Sequence, residues 1–161
     1  MVTSLSSSVV ETGKGQIPIF NGINVGEDNL TVYDEGTWTP VVKIGSTVIT
    51  VSGSYATFTR IGNRVFITGT IKFNRASNSG DITIEGLPVA AATSSVGVLS
   101  LVGGDKIDTT PPLRATIAAG TQVIALRKTG GSTAANIGNM SDAQVAASTD
   151  VEVYISGQYE V

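Results

Sequence analysis

The stretch Y-A-T-F-T-R-I-G-N-R-V at residues 55–65 decides the fold. It contains the pair Gly62-Asn63, which is flanked on both sides by runs in which apolar and polar residues alternate. This pattern predicts a β-hairpin, because glycine readily takes the positive φ that a two-residue turn needs and asparagine tolerates it. The chain is therefore expected to be built from antiparallel strands.

The composition of the chain also favours sheet. Val and Ile together number 34 against seven Leu, and Thr occurs 20 times. Such β-branched residues pack well on a pleated surface. The 161 residues suffice for one well-buried domain, and the 19 Gly that separate short apolar runs predict frequent turns. We therefore expect an all-β fold with little helix.

A succession of strands is predicted from residue 37 onward, with turn clusters spaced as in an antiparallel β-sandwich of the jelly-roll kind. In the run 64–74, Val65, Ile67, Ile71 and Phe73 fall on one face. Gly69 interrupts them, which predicts a bulge or a close approach by another backbone or an aromatic ring. A helical turn is possible only at residues 141–147, with Ser141 as N-cap. The predicted strands are 37–43, 47–52, 54–60, 64–74, 81–85, 96–102, 113–118, 121–128 and 150–161.

Two parts are predicted: an arm at residues 1–32 and a knob domain at residues 33–161. The arm is rich in Ser and Gly, has only small apolar islands, and cannot bury enough apolar surface by itself to offset its ordering entropy. It is either a frayed terminus or an extended segment that docks on a partner. In the second interpretation the docking residues are Ile17, Ile19, Phe20, Ile23 and Val25.

Charge and hydropathy exclude several classes of partner. The net charge is −3 and the Lys and Arg residues are scattered singly, which argues against a nucleic-acid partner. No apolar stretch approaches the ~20 residues of a membrane-spanning helix, so no membrane insertion is expected. The N-terminus lacks the features of a signal peptide, which predicts synthesis in a cytoplasm without the usual export.

The chain contains neither His nor Cys. This excludes disulfides, thiol catalysis, an imidazole base and the usual zinc ligands, and no phosphate-binding or dinucleotide-binding motif is present. We expect no enzyme activity and no catalytic, cofactor or metal site. A pair of carboxylates acting on a sugar bond is the remaining catalytic possibility, but no spacing selects a pair. The candidates are Asp34, Glu35, Asp81, Glu85, Asp105, Asp108 and Glu152.

Aromatic side chains serve either as core anchors or as platforms for sugar rings. Trp38 is expected at the start of a strand, where a core or interface role is favoured over ligand stacking. Tyr55 and Phe58 fall on opposite faces of one strand, so at most one of them faces outward. The residues predicted to form the knob core or an interface between subunits are Trp38, Tyr55, Val65, Ile67, Ile71, Phe73 and Tyr159.

Four motifs carry a resemblance to a known family. They are Y-D-E-G-T-W-T-P at residues 33–40, F-T-R-I-G-N-R-V at 58–65, I-T-I-E-G-L-P at 82–88 and V-Y-I-S-G-Q-Y at 153–159. In this order they resemble the C-terminal domain of virion appendages of tailed bacteriophages, such as tail fibres. The resemblance implies a β-sandwich that assembles as a homotrimer on the outside of a virus particle, and it transfers no catalytic residues.

The short segment before the first motif bears on the role of such a domain. Thirty extended residues reach at most roughly 100 Å, too little for a fibre shaft. The expected function is therefore a capsid decoration protein, of the cement or head-spike kind, whose arm docks on the major capsid protein. The alternative is a tail-fibre or tailspike tip that is held by a collar or adaptor protein and binds a host-surface glycan. A polysaccharide depolymerase is a third interpretation, from a different class.

Overall fold

The computed structural model describes residues 23–25, 28–30, 32–103, 106–107, 114–129, 137–147 and 149–161. Contacts within the chain form two units, Met1–Thr31 and Val32–Val161. In the first unit, β1 (Ile23–Val25) pairs antiparallel with β2 (Asp28–Leu30), a pairing that the sequence did not predict. Of the predicted docking residues, Ile23 and Val25 belong to β1, whereas Ile17, Ile19 and Phe20 lie outside the described residues. The docking role of the arm stays a prediction.

The second unit is an antiparallel sheet of eleven strands, so the all-β prediction is confirmed. The order across the sheet is β3-β6-β7-β13-β9-β10-β11-β8-β4-β5, and β12 also pairs with β11. The strands are β3 (Tyr33–Thr37), β4 (Val41–Ile44), β5 (Thr47–Ile49), β6 (Val51–Ile61), β7 (Arg64–Asn74), β8 (Ile82–Glu85), β9 (Gly97–Gly103), β10 (Arg114–Ile117), β11 (Val123–Thr129), β12 (Ile137–Asn139) and β13 (Asp150–Glu160).

Two short connections explain why this sheet curls into a half-barrel. β3 and β4 stand eight strand intervals apart in the sheet order, which is roughly 40 Å in a flat sheet. Residues 38–40 alone join them, and such a connection spans only about 14 Å. Thr50 alone joins β5 to β6, which are equally far apart in the order. The sheet therefore bends until its two ends approach each other. The strands form one continuous sheet, where the sequence predicted the two layers of a sandwich.

The concave face of the curled sheet holds the apolar core. Alternate residues of β7 are buried there, among them Val65, Ile67, Ile71 and Phe73, as the period-two pattern predicts. Gly69 occupies the remaining inward position of this strand. A Cβ built on Gly69 would lie 3.5 Å from the Cβ of Ala56 and 3.6 Å from Cζ2 of Trp38, so the indole ring packs next to this position. A ring contact is one of the alternatives that the sequence predicted for this glycine.

The hairpin predicted at residues 55–65 is also confirmed. β6 ends at Ile61, β7 begins at Arg64, and these two residues face each other across the turn. Gly62 has a φ of 58°, whereas Asn63 is not among the described residues with positive φ. The turn therefore depends on the glycine rather than on both residues. The N–H of Gly62 donates a hydrogen bond to the carbonyl oxygen of Val32, 2.8 Å away.

The predicted strand 37–43 is wrong, because the chain leaves one strand and enters another there. β3 ends at Thr37, β4 begins at Val41, and Trp38 lies in the connection rather than at a strand start. The N–H of Trp38 still donates to the carbonyl oxygen of Ala56, at 3.0 Å. Pro40 has no N–H to continue the ladder, so the strand stops and the chain crosses to the other end of the sheet.

Helix is scarce in the described part of the chain, as expected. The predicted turn at residues 141–147 is a short 3₁₀ helix over Asp142–Gln144, with Ser141 as its N-cap. The Gln144 side-chain oxygen accepts a hydrogen bond from the N–H of Ser141, at 2.9 Å. Among the described residues, no helix has the length and apolar character needed to cross a bilayer.

Candidate functional site

The seven residues predicted to form the core or a subunit interface divide into two groups. Six of them are buried within this one chain and so are not available to a ligand or to another subunit. The exception is Tyr55, which lies on the convex side of β6 and is 69% exposed. Phe58 of the same strand packs against the core, as its opposite-face position predicts. The six buried residues are Trp38, Val65, Ile67, Ile71, Phe73 and Tyr159.

Trp38 is an internal anchor rather than a platform for a sugar ring. Only 6% of the residue is exposed, and its ring lies against Gly69. Its Nε1 is buried without a hydrogen-bond acceptor among the described residues. Stacking on a ligand requires an exposed ring face, so the ligand-binding interpretation of this residue does not fit its position.

Tyr159 fixes the last strand to the loop that follows β8. Its hydroxyl donates a hydrogen bond to the carbonyl oxygen of Val89, at 2.8 Å. Burial of the side chain raises the pKa of Tyr159 to about 12. Gly97 makes room beside it, because a Cβ at that position would lie 2.9 Å from the Cβ of Tyr159. The side chain is thus structural, and its hydroxyl does not face solvent.

The convex side of the sheet carries the exposed rings. We call the outward-facing residues of β6, β7, β13, β9, β10 and β11 the outer face. Tyr55 lies opposite Thr70, Thr70 opposite Tyr154, and Tyr154 opposite Val102, so these four form one row across four strands. Tyr154 and Val102 are exposed, as Tyr55 is. This row places two tyrosine rings on one surface of the molecule.

A second apolar row crosses the same strands. Phe66, which is 42% exposed, lies opposite Gln158, and Gln158 lies opposite Val98. Both apolar side chains point away from the core, because inward and outward residues alternate along each strand. The outer face thus combines exposed rings with polar positions and is the candidate binding surface of the protein.

Two arginines lie side by side on the outer face. Arg114 of β10 and Arg127 of β11 are direct cross-strand partners. The Nε of Arg127 donates to Oγ1 of Thr116 at 3.1 Å, and its Nη1 donates to Oδ1 of Asn139. Arg114 makes no side-chain hydrogen bond or ion pair to a described residue, and its Nε is buried. Neither arginine stood out in the sequence, because only the strand register brings them together.

The candidate carboxylates among the described residues are spread over several strands of the unit Val32–Val161. Glu85 forms an ion pair with Lys43, at 2.9 Å between Oε1 and Nζ, and Glu152 forms one with Lys72, at 3.3 Å. Asp81 accepts a hydrogen bond from Nδ2 of Asn139 at 2.5 Å. Two of these acids are thus engaged in ion pairs and the third in a hydrogen bond.

The remaining carboxylates lie at an edge of the sheet or outside the described residues. Asp34 and Glu35 are exposed on β3, where the Tyr33 hydroxyl donates to Oε2 of Glu35 at 2.6 Å and this bond raises the pKa of Tyr33. Asp105 and Asp108 lie outside the described residues. Within the described ranges, no three acidic side chains cluster as a metal site would require. The absence of a metal and of catalysis stays a prediction.

Comparison with solved structures gives a similarity in fold, whereas comparison by sequence gives none. No family model and no curated protein matches the sequence. A solved structure described as "Crystal structure of Dettilon tailspike protein (gp208)" matches with a TM-score of 0.60 and 20% sequence identity. The match covers 80% of this chain and 24% of the tailspike chain, so this chain spans about a quarter of that protein's length. At this identity the similarity shows the fold, an all-β curled sheet that also occurs within a tailspike.

Proposed function

We propose that this protein is a structural module of a bacteriophage virion appendage, of the tailspike or tail-fibre kind. The observation that carries the proposal is the match of 80% of the chain to a part of a tailspike. The four motifs at residues 33–159 point independently to a virion appendage domain. In this role the curled sheet is a rigid unit at the particle surface, and its outer face is free to contact the host, including a glycan there.

We further propose that the module assembles as a homotrimer. The support comes from β3, an edge strand whose five residues are all exposed. An open edge presents unpaired backbone N–H and C=O groups, which proteins normally cover or protect. Tyr33 on this strand lies opposite Ile61 of β6, and both are exposed apolar side chains. Contact between subunits along this edge would cover them.

The oligomeric state is tested by sedimentation equilibrium of the 161-residue chain. The expected mass is three times that of the 16.5 kDa chain. A charge placed in the edge contact, as in Ile61→Lys, is expected to lower the mass towards that of one chain. A monomer at micromolar concentration in the unaltered protein would contradict the trimer.

Capsid decoration is the second candidate, supported by the division of the chain into the units Met1–Thr31 and Val32–Val161. In this alternative the apolar residues of the first unit dock on the major capsid protein. Removing residues 1–29 is then expected to leave a folded protein that no longer binds virus shells. Full occupancy of the shells by the truncated protein would contradict the docking role of the arm.

Imaging of whole virions distinguishes the two candidates. The appendage proposal predicts density for this chain at the tail, in at most a few tens of copies per particle. Decoration predicts hundreds of copies over the capsid. A cryo-electron microscopy reconstruction of virions, together with quantitative mass spectrometry of purified particles, measures both the position and the copy number. Density on the capsid would overturn the appendage proposal.

We also propose that the protein is not an enzyme, which the absence of His and Cys from the sequence supports. The test is incubation of the purified protein with capsule and lipopolysaccharide of the host, followed by analysis of the soluble fraction. No released oligosaccharide is expected. Release that is abolished by replacing a carboxylate, for example Asp81→Asn, would contradict the proposal.

A further inference from the structure

A continuous polar row crosses the outer face and extends onto the flanking strands β3 and β12. Each residue in it is the direct cross-strand partner of the next, from β3 through β6, β7, β13, β9, β10 and β11 to β12. Neighbouring strands lie about 4.8 Å apart, so the row follows the sheet for roughly 30 Å. We call it the hydroxyl–arginine row, and its members in order are Thr37, Thr57, Thr68, Ser156, Ser100, Arg114, Arg127 and Asn139.

The hydroxyl groups of this row have unused bonding capacity. The side chains of its three threonines and two serines make no hydrogen bond to another described residue. Each hydroxyl offers one donor and two acceptor positions. The five groups recur at the strand spacing, which is close to the length of one sugar unit in an extended polysaccharide. A hydroxyl-rich chain lying across the strands would therefore meet a donor or an acceptor at each step.

Apolar rows border the hydroxyl–arginine row on both sides. On one side run Tyr55 and Tyr154, two positions along their strands from Thr57 and Ser156. On the other side lies Phe66, two positions from Thr68. Aromatic rings beside a line of hydroxyls suit pyranose sugars, which present an apolar ring face together with hydroxyl groups at their rim.

The arginine end of the row forms no ion pair with a described residue. Like charges directly opposite each other on neighbouring strands repel, and a buried N–H without an acceptor destabilises the fold. Arg114 and Arg127 form such a like-charge pair, and Nε of Arg114 is buried without an acceptor among the described residues. Neither takes part in the ion pairs of the described residues, which are Lys43–Glu85, Lys72–Glu152 and Arg75–Asp142. An anion placed between the two guanidinium groups would relieve the repulsion.

The hydrogen bonds of Arg127 also pre-organise its guanidinium group for binding an anion. Hydrogen bonds to Thr116 and Asn139 orient this guanidinium, and Asn139 is itself held by Asp81. These bonds use two of the five N–H donors of Arg127, whereas the side chain of Arg114 donates to no described residue. Guanidinium groups bind carboxylates through paired, charge-assisted hydrogen bonds.

We propose that the hydroxyl–arginine row binds an acidic polysaccharide, with a sugar carboxylate held between Arg114 and Arg127 and the neighbouring sugar units lying over the hydroxyl groups. An acidic polysaccharide would thus be the ligand of the proposed appendage module. Only the source of this glycan, a bacterial surface, rests on the proposed function.

Affinity electrophoresis of the full-length protein tests the site, with polygalacturonate as the acidic probe and dextran as the neutral one. Retardation by polygalacturonate and none by dextran is expected. Arg114→Gln and Arg127→Gln are each expected to weaken the binding at least about tenfold, since each loses charge-assisted hydrogen bonds. Arg64→Gln, an outward-facing arginine outside the row, is the matched control and is expected to bind as the unaltered protein does.

Further measurements separate the row from a simple anion site and from a subunit contact. Thr68→Val and Tyr55→Ser are each expected to weaken polygalacturonate binding severalfold, and monomeric galacturonate is expected to compete poorly. Equal competition by the monomer would mean that the protein binds a single anion and not an extended polysaccharide, and it would overturn the proposal. Arginine variants that lower the sedimented mass while binding polygalacturonate normally would assign the row to a subunit contact and also overturn the proposal.

Thermal unfolding excludes misfolding as the cause of lost binding. Arg114→Gln is expected to unfold at the same temperature as the unaltered protein or at a higher one, because a cross-strand pair of like charges and a buried donor without a described acceptor disappear. No binding of the unaltered protein to polygalacturonate would overturn the proposal. The position of the protein in virions is measured separately, so failure here and failure of the appendage proposal are distinguishable.

Discussion

The two faces of β7 differ in what each contributes to the protein. On the concave side Val65, Ile67, Ile71 and Phe73 are almost completely buried. On the convex side Phe66, Thr68 and Lys72 are exposed, and neighbouring strands continue their rows. The inward side chains of this strand stabilise the fold, whereas its outward side chains contribute little to stability and are available for binding.

The largest expected difference between the faces comes from two phenylalanines of this same strand. Phe73→Ala is expected to lower the free energy of unfolding by about 3 to 5 kcal/mol, because it removes a fully buried ring and leaves a cavity. Phe66→Ala is expected to cost about 1 kcal/mol or less, because its ring is already half in water. Denaturant unfolding of both variants measures the contrast. Equal costs would mean that the outer face is covered in the assembled protein.

The second largest effect is expected at a glycine of β13 on the inner side. Gly157 has a φ of +153°, and a Cβ there would lie 2.9 Å from Cδ2 and 3.2 Å from Cα of Leu99. Gly157→Ala is therefore expected to cost about 2 to 3 kcal/mol. Gly138→Ala in β12 is the control, because no atom of the described residues beyond its two chain neighbours lies within 4 Å of the added methyl group. It is expected to leave stability unchanged or slightly raised. A neutral Gly157→Ala would contradict the close packing of β13 on β9.

A smaller effect is expected from the Tyr159 hydroxyl, the polar group at the rim of the core. Tyr159→Phe removes its hydrogen bond to Val89 and is expected to cost about 1 kcal/mol at neutral pH. The raised pKa of Tyr159, about 12, makes stability depend on alkaline pH. Its contribution is complete below the unfolded-state pKa of about 10 and is lost as pH rises through 12.

Unfolding curves at a series of pH values test this alkaline dependence. Between about pH 10 and 12, the unaltered protein is expected to lose up to about 1.4 kcal/mol per pH unit more than Tyr159→Phe loses. Parallel pH profiles of the two proteins would contradict the burial of the hydroxyl group.

The smallest effect is expected from an ion pair on the convex side. Lys43 and Glu85 are neighbours on β4 and β8, and about a third of each side chain is exposed. A double-mutant cycle with Lys43→Ala and Glu85→Ala is expected to give a coupling energy of about 0.2 to 1 kcal/mol that shrinks in high salt. A coupling of several kcal/mol would contradict the view that this side contributes little to stability.

Much of the fold was predictable from local patterns. The alternation at residues 64–74 gave the bounds of β7, and Gly62-Asn63 marked the hairpin turn, because both signals act over a few residues. The break at residues 38–40 was not predicted, since Trp38 and Pro40 stand in an apolar stretch that reads as one strand. The curled single sheet was also missed, because it depends on which distant strands become neighbours.

The candidate site was less accessible to sequence reasoning than the fold. Tyr55 was named among the anchors, but its exposure distinguishes it from Trp38 and the other buried anchors only after folding. Arg114 and Arg127 are separated by a turn and stand among ordinary strand residues. A row across a sheet joins residues far apart in the chain, and no local pattern of residues encodes it.

The sequence by itself determined the all-β class, the hairpin, the inward and outward sides of the long strands, and the absence of histidine and thiol chemistry. These follow from period-two alternation, turn residues and composition, which act locally. The tertiary structure alone decided the strand order, the curl imposed by the connections at residues 38–40 and at Thr50, and the meeting of Arg114 with Arg127. The physical reason is that cross-strand neighbours are set by register and closure of the whole sheet, to which distant segments contribute together.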